Sequence, residues 1–400
     1  MKIFGLTISR TATKQTPTFV WNDANIWADL WNDSLSGVSI NQDSALNISA
    51  VWSCNKVLSE DIGSLPIHVF ERTSSGSVKA VNHPIYNLLH NSPNDFQTPI
   101  VFHEQMQTYV NLWGNAYAII NRDKDFIPVD LEVVHPKDVT PVKKNKLWYK
   151  VEGYKNLIQA DNMIHILGIA IKNDYKGISP IIAAKEVLGG GLALQEFANR
   201  FFGSGANLSG TLSTDQKLTK EAIDRLREGF DARYAGIDKA HKTAVLEQGL
   251  KFQRIGIEPE AAQFLESRRF SVEEIARWFR VPPHMIADLS KSSFSNIEQQ
   301  SMNYVIYTLR SWLVRWEQEY NRKLFTSEER KKYFVQFNID GLLRGDTNAR
   351  AALYQSLFNM ASISANEIRE KENMNPYEGG DKKYIQMNLT DVNTKTNEGS

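Results

Sequence analysis

Two residues at a spacing known from acyl-transfer chemistry stand near the N-terminal end of the sequence. Ser53 and Lys56 fit the S-x-x-K pattern of serine acyl-transfer enzymes, and Lys242-Thr243-Ala244 faintly echoes their K-T-G element. The S-D-N element, and the glycine that lets substrate lie along the strand, are both missing. We therefore interpret Lys56 as a solvent-facing residue of a helix.

A second pattern could bind a cation. Asn121, Asp123, Asp125 and Glu132 occupy positions 1, 3, 5 and 12 of a calcium-loop pattern. Position 6 of that loop must be glycine for its sharp turn, but here it is Phe126. A polar turn between two strands explains these residues better, so no metal site is predicted.

The remaining chemical patterns also fail. The triple glycine at 189–191 is followed by Leu192 and Ala193, whereas a phosphate-binding P-loop needs Lys and Ser or Thr there. The eight histidines show neither an H-E-x-x-H nor an H-x-x-E-H arrangement. We predict no catalytic residues and no cofactor.

Composition limits the class of protein. The chain has 400 residues, 42% of them hydrophobic, and 46 basic residues balance 46 acidic ones. That length predicts two or three lobes, and the charge balance argues against a protein that coats nucleic acid. The single cysteine, Cys54, excludes an intrachain disulfide and lies among apolar residues, which predicts a buried thiol.

No membrane association is expected. No stretch of about 18 uncharged apolar residues exists, and the apolar run at the start, six residues long, is too short for a signal peptide. Intracellular synthesis without secretion is therefore the expectation.

Residues 1–45 form a polar arm that carries three tryptophans: Trp21, Trp27 and Trp31. Because tryptophan is costly to leave in water, the arm is expected to dock on a surface. That surface could belong either to the same chain or to a neighbouring subunit, and the sequence does not decide between them.

Residues 46–175 predict an α+β lobe. A helix begins near Asn47, with Ile48, Val51, Trp52, Leu58 and Ile62 on one side, and Pro66 ends it. A hairpin with an SSGS turn and a short helix at 83–90 follow. The next helix runs into a strand near Gly114, and further strands are expected at 131–134, 146–151 and 163–166.

A second helical stretch is expected at 179–202, with Ser179 and Pro180 at its start. Each interior glycine costs a helix about 1 kcal/mol relative to alanine. The triple glycine at 189–191 therefore indicates a bend or the close packing of another backbone. An insert at 206–257 reads as a strand, an amphipathic helix and a hairpin that turns at Gln248-Gly249.

The most distinctive stretch is 261–325. A helix is halted by Pro282 and Pro283, a polar loop follows at 287–296, and a long helix begins near Ile297. The apolar stripe of that helix steps by three or four residues, through Val305, Leu309, Trp312, Trp316, Tyr320 and Leu324. A further strand lies after Phe325, and two helices close the chain, with a Ser364-to-Glu367 capping box and a polar tail.

This order of segments resembles the portal proteins of tailed bacteriophages, in the branch found in phages with HK-type capsids. The resemblance covers roughly 47–388 and is carried by segments such as HPIYNLLHNSPN (83–94), GNAYAIINR (114–122), AQFLESRRFSVEEIARWFRVPPHMI (262–286) and SANEIREKENMNP (364–376). Each segment is weak alone, but their order and spacing are hard to obtain by chance.

The resemblance implies an architecture for a ring subunit. It assigns 1–45 to an N-terminal arm, 46–175 to the first part of the wing, 176–205 and 258–286 to two stem helices, and 206–257 to the clip. Residues 287–296 correspond to the tunnel loop, 297–344 to the long helix and the returning wing strand, and 345–400 to the crown and tail.

The resemblance also implies partners. The protein would form a ring, typically of twelve subunits, at one capsid vertex of the virion, and double-stranded DNA would pass through it without sequence recognition. The terminase large subunit would dock on the clip, at residues such as Arg225, Glu228, Arg233, Lys239 and Lys242. Head-completion adaptors, the major capsid protein and the scaffold would be further partners.

Lys291 is the only cation of the tunnel loop, and it lies among Ser292, Ser293, Ser295 and Asn296. One such charge per subunit would give a diffuse attraction that phosphates can slide past. Without the resemblance, an ordinary exposed loop explains these residues equally well. Two other functions stay open: a phage-associated enzyme, either a nuclease or an acyl transferase, and a structural adaptor that forms no ring.

Overall fold

The structure is a computed structural model. It describes residues 34–74, 76–171, 175–203, 210–214, 219–234, 251–254, 261–289, 294–339, 347–372 and 374–384. The chain divides into two compact units, with the boundary between Phe337 and Asn338. Both helices and sheets are present, which confirms the α+β prediction.

The first part of the larger unit alternates helices with antiparallel strands. In chain order its elements are α1 (Gln42–Ala45), α2 (Ser49–Ser64), β1 (Ile67–Thr73), β2 (Gly76–Lys79), α3 (Pro84–His90), α4 (Pro99–Trp113), β3 (Asn115–Arg122), β4 (Pro128–Val134), β5 (Val139–Lys143), β6 (Leu147–Val151), β7 (Ile158–Gln159) and β8 (Met163–Leu167).

The rest of this unit holds the long helices. They and the remaining strands are α5 (Pro180–Ala183), α6 (Lys185–Gly203), β9 (Gly210–Ser213), α7 (Lys220–Tyr234), β10 (Lys251–Arg254), α8 (Ala261–Phe279), α9 (Phe294–Asn303), a π-helical segment (Tyr304–Leu309), α10 (Arg310–Lys323), α11 (Glu329–Lys332) and β11 (Tyr333–Phe337).

Helix α2 packs against α4 and buries Cys54, as predicted for the thiol. Burial raises the pKa of Cys54 to about 12, so the thiol stays protonated. The prediction that Trp52 shares the buried side is wrong, because this side chain is 55% exposed. Val51, predicted on the same side, is buried, and Trp52 lies one residue and about 100° around the helix from it.

Two of the sheets pack face to face. Strand β3 pairs antiparallel with β4 and β8, and β6 pairs antiparallel with β5 and β7. Residues from both sheets form one apolar cluster that includes Tyr117, Val139, Tyr149 and Met163. The third sheet joins distant parts of the chain, since β11 pairs with β1.

Gly114 makes the predicted switch from α4 to β3. Its φ of +71° lies in the left-handed region, where a side chain would be strained. A Cβ there would also collide with the Ile178 carbonyl. Asn115 secures the same crossing, because its side-chain amide donates to the Gly177 carbonyl (2.9 Å) and accepts from the Gly177 amide (2.8 Å). The chain leading into α5 is therefore fixed to the α4–β3 junction.

The second helical stretch breaks at Ala184, between α5 and α6, and not at the glycines. Helix α6 runs unbroken through 189–191. Of the two explanations predicted for these glycines, close packing is the one observed. A Cβ on Gly189 would lie 2.6 Å from the Ser34 Cβ, so the chain just before α1 packs directly on this helix.

Residues 34–48 thus form a strap on their own chain. Ala45, Ile181, Leu188 and Ile275 share one buried cluster. At its start the Leu35 amide donates to Glu186 Oε2 over 3.0 Å. This part of the predicted arm packs on its own subunit.

Within the predicted insert, β9 and β10 form an antiparallel pair and α7 lies between them in sequence. The hairpin turn predicted at Gln248-Gly249 lies outside the described residues.

The smaller unit contains α12 (Thr347–Asn359) and α13 (Ala365–Lys371). The predicted capping box is confirmed: Ser364 Oγ accepts from the Glu367 amide, and Glu367 Oε2 accepts from the Ser364 amide. Asn366 also ties α13 to the chain after it through bonds to Tyr377 and Asp381.

Candidate channel loop and its helical supports

Helix α8, the first support of the loop, buries one face and exposes the other. Ile275 and Ala276 are buried, and Ile275 belongs to the cluster formed with α2 and α6. Phe270 is 62% exposed and Trp278 is 44% exposed. Two aromatic residues of α8 therefore face away from the core of the subunit.

The end of α8 is set by its own backbone before the prolines take effect. Arg280 has a φ of +56°. Its amide donates to the Arg277 carbonyl (3.1 Å), and the Val281 amide donates to the Ala276 carbonyl (3.0 Å). This pair of bonds is a Schellman motif, here with arginine at the left-handed position that usually holds glycine. Pro282 and Pro283 follow directly.

A tight turn then leads into the loop. Residues Pro283–Ile286 form a single 3₁₀ turn that ends at Ala287, whose φ is +65°. The Asp288 amide donates back to the Pro283 carbonyl over 3.0 Å. Two residues with left-handed backbone conformation, Arg280 and Ala287, therefore change the direction of the chain twice within eight residues.

His284 joins this turn to the far side of the loop. Its Nδ1 is 3.1 Å from Gln300 Oε1, and its Nε2 is 3.1 Å from Ser301 Oγ. No motif in the sequence connects His284 with Gln300 or Ser301, so these contacts could not be predicted from it. The base of the loop is thus closed between residues 284 and 301.

Of the predicted loop residues, Lys291, Ser292 and Ser293 lie outside the described residues. Ser295 and Asn296 lie in the first turn of α9, which begins at Phe294. The helix therefore starts before Ile297, where the apolar stripe first becomes visible in the sequence.

The second support is one continuous helical run from Phe294 to Lys323, but it is not a uniform α-helix. Tyr304–Leu309 is π-helical, a form rare in proteins and frequent at functional sites. Tyr304 Oη donates to Asp61 Oδ2 (2.7 Å), and Thr308 Oγ1 donates to the Arg280 carbonyl (2.8 Å). These bonds connect the π segment to α2 and to the end of α8. Burial raises the pKa of Asp61, and the bond from Tyr304 opposes that rise.

The later part of the run, α10, is held by buried polar bonds. Trp316 Nε1 donates to Gln107 Oε1 (3.0 Å), and Tyr320 Oη lies 2.7 Å from His103 Nε2. Burial lowers the pKa of His103 to about 4, so this imidazole is neutral at pH 7. Helix α10 is thereby fixed to α4.

A second buried group connects α10 to the sheet. Glu319 Oε1 accepts from the His165 amide (3.1 Å), and Lys323 Nζ donates to the Ala160 carbonyl. Glu319 and Lys323 lie 4.0 Å apart, and burial raises the pKa of the acid and lowers that of the lysine.

The predicted docking residues lie on the insert. Arg225 and Glu228 are exposed on α7, and the Arg225 Nε donates to the Glu221 carbonyl (3.3 Å). Arg233 belongs to the same helix. Lys239 and Lys242 lie outside the described residues.

The patterns that suggested other chemistry have structural explanations. Lys56 is exposed on α2 and pairs with Glu60 at 3.3 Å. Asp123 Oδ1 accepts from the Asp125 and Ile127 amides, which closes a polar turn between β3 and β4. In the part of the chain that the structure describes, no three acidic, histidine or cysteine side chains converge on a common point. Among the same residues, no helix is long and apolar enough to cross a membrane.

Comparison with known proteins decides the family. A family model described as phage portal protein matches residues 49–373. The chain belongs to the phage portal protein family. The portal protein of Enterobacteria phage HK97 is 34% identical over 373 residues, which cover 90% of this chain and 87% of the HK97 protein.

Two solved structures share the fold. The crystal structure of an HK97 family phage portal protein from Corynebacterium diphtheriae aligns with a TM-score of 0.59 and 17% identity, over 77% of this chain and 99% of that one. A chain from the neck of a native gene transfer agent particle, computed with C12 symmetry, aligns with a TM-score of 0.54 and 20% identity. That alignment covers 84% of this portal protein and 94% of the neck chain.

Proposed function

We propose that this portal protein forms a ring at one vertex of a phage capsid, through which double-stranded DNA is packaged and later ejected. The observation that carries the proposal is the family match over 49–373, together with 34% identity to the HK97 portal protein. The C12 symmetry of the related neck supports a ring of twelve subunits. The role is mechanical, in the virion, after synthesis in the host cytoplasm.

Within the ring, the described elements take the roles expected from the family. Residues 46–175 are the first part of the wing, and α6 and α8 are the stem helices. The insert at 206–257 is the clip, 287–296 the tunnel loop, and 345–400 the crown and tail. The long helical run with β11 returns the chain to the wing. The bonds of His284 to Gln300 and Ser301 support the tunnel-loop assignment, since they hold the two ends of that segment together.

Lys291 is the residue through which the loop would attract DNA. One lysine per subunit gives a ring of separated charges, which attracts phosphates without holding any sequence. Lys291→Ala should leave ring formation intact and reduce the yield or retention of packaged DNA in a packaging assay. Lys124→Ala, which removes an exposed lysine from the β3–β4 turn, is the matched control. Equal packaging by both variants would remove the loop from the proposal.

The clip is proposed to receive the terminase large subunit during packaging and head-completion adaptors afterwards, while the capsid and scaffold proteins surround the ring. Arg225 is exposed on α7 and available to a partner. Arg225→Glu should weaken terminase binding to assembled rings, measured by co-sedimentation, while Lys124→Glu should not. Unchanged binding by Arg225→Glu would exclude this face of α7.

A further inference from the structure

An open groove lies beside the base of the loop, between the end of α8 and the π segment. Its volume is about 540 Å³. Its walls combine arginine, tyrosine and proline side chains with short polar groups, and they include Arg277, Arg280, Pro282, Pro283, Tyr304 and Tyr307.

The walls are held in place by contacts that leave the mouth open. Tyr304 is fixed by its bond to Asp61, and Thr308 by its bond to the Arg280 carbonyl. Tyr307 is 62% exposed at the rim, and Arg277 is exposed on the opposite side. The groove is thus formed before any occupant arrives.

This combination of side chains suits an indole ring. Guanidinium groups stack on the face of tryptophan, which is the best aromatic partner for a cation. Tyrosine rings and proline surfaces supply flat apolar area. Gln300 Oε1 and Asn303 Oδ1 on the lining already contact His284 and Gln299, and each oxygen has a second lone pair that can accept an indole N–H.

The chain contains tryptophans that can reach this groove. Residues 1–33 lead into Ser34, which packs on Gly189 of α6. Two residues further along α6, Gly191 faces Ser271 of α8. From Ser34 to the groove on the far side of α8 is about 20–25 Å, from helix spacings and the rise per residue.

The reach of each tryptophan follows from its distance along the chain. An extended residue spans up to about 3.4 Å, so Trp31 reaches only about 10 Å from Ser34, Trp27 about 24 Å and Trp21 about 44 Å. Trp21 therefore reaches the groove with chain to spare, Trp27 reaches it only when the chain is almost fully extended, and Trp31 does not reach it.

We propose that this groove binds Trp21 or Trp27 of the N-terminal arm, residues 1–33 of this chain. The docked arm would cover the exposed rim at Tyr307 and connect the N-terminal segment to the base of the tunnel loop.

A photo-cross-link in the full chain tests the proposal. Tyr307→p-benzoylphenylalanine places the reactive group at the rim, and Phe126→p-benzoylphenylalanine places it on the exposed β3–β4 turn as a control. Digestion before aspartate separates the tryptophans into peptides 1–22, 23–28 and 29–32. We expect cross-links from position 307 to peptide 1–22 or 23–28, and none from position 126.

A second variant shows whether tryptophan is what the groove selects. Trp21→Ser combined with Trp27→Ser should reduce the cross-link yield from position 307 at least fivefold. The proposal is overturned if position 307 cross-links only to residues after 28, if both positions label the arm equally, or if the double variant keeps its yield.

Discussion

The two helical supports of the loop are held to the subunit in different ways. Helix α10 is fixed by buried aromatic side chains whose polar ends all find partners, such as Trp316 on Gln107 and Tyr320 on His103. Helix α8 is held mainly by apolar contacts around Ile275, with one polar bond from Thr308 to the Arg280 carbonyl at its end. It exposes Phe270 and Trp278 and borders an open groove. The π segment lies directly before α10 in the chain and bonds to the end of α8 through Thr308, so it connects the two supports.

This difference assigns different tasks to the two sides. A buried network of satisfied polar groups holds one geometry, because any displacement leaves a donor or acceptor without a partner. Apolar contacts are non-directional, so they tolerate small shifts of a helix better. We infer that the α10 side is the fixed reference of the subunit, and that adjustment of the loop occurs on the α8 side.

Of the variants considered, Trp316→Ala should destabilise the α10 side most. The variant removes a fully buried indole and leaves Gln107 Oε1 without its donor, so we expect a loss of about 3–5 kcal/mol in the free energy of unfolding. Chemical denaturation measures it, with Tyr307→Ala in the same helical run as control. A loss below about 1 kcal/mol would mean that α10 is not the fixed side.

Acid should loosen the fixed side through His103. Burial lowers the pKa of His103 from the ordinary histidine value of 6.5 to about 4 in the folded protein, so the unfolded chain takes up the proton first as the pH falls. The histidine costs no stability above pH 6.5 and destabilises progressively between pH 6.5 and about pH 4. At pH 5 this amounts to about 2 kcal/mol.

The pH experiment compares the free energy of unfolding of the wild type and His103→Gln from pH 7 to pH 4.5. The variant should show a shallower decline, and the difference between the two curves isolates this group from carboxylates that titrate in the same range. Parallel curves would contradict the account of His103.

Two neighbouring glycines of α6, the helix that packs against α8, test how closely the strap at 34–48 packs there. Gly190→Ala meets no atom within 4 Å and should stabilise α6 by about 1 kcal/mol, the usual helix preference for alanine. Gly189→Ala has the same intrinsic gain, but its Cβ would collide with Ser34, so we expect a net loss of stability. Melting temperatures decide, and equal shifts for both variants would refute the packing of the strap on Gly189.

The smallest effect is expected at the π segment. Tyr304→Phe removes one hydrogen bond to Asp61 and should cost about 1 kcal/mol. A double-mutant cycle with Asp61→Asn measures the coupling between the two groups. Independent, additive losses would show that this bond does not connect the π segment to α2.

Local signals explain what the sequence predicted well. The left-handed switch at Gly114, the Ser364–Glu367 capping box, and the helix ending near Pro282 each depend on residues within a few positions of one another. The fold class and the order of helices and strands followed from such signals. Comparison with solved structures then supported the mixed helix-and-sheet fold.

Contacts between distant residues explain what the sequence could not predict. The break at Ala184, the packing of Gly189 under Ser34, and the pairing of β1 with β11 depend on residues far away in the chain. Trp52 fits a helical apolar pattern and is nevertheless exposed. Periodicity predicts which residues share one side of a helix, but it does not predict whether another element packs on that side. The apolar residues of the π segment follow the same spacing as those of an α-helix. The sequence therefore carries no sign that Tyr304–Leu309 is π-helical. At the loop, the His284 contacts join residues that no motif connects.

The central claim is that the protein assembles as a ring with a central channel, and electron-microscope images of the purified full-length chain test it most directly. We predict closed rings, with twelve subunits by mass, in the protein alone or after scaffold or capsid protein is added. A protein that remains monomeric by light scattering at its native concentration, and forms no ring on those additions, would contradict the account.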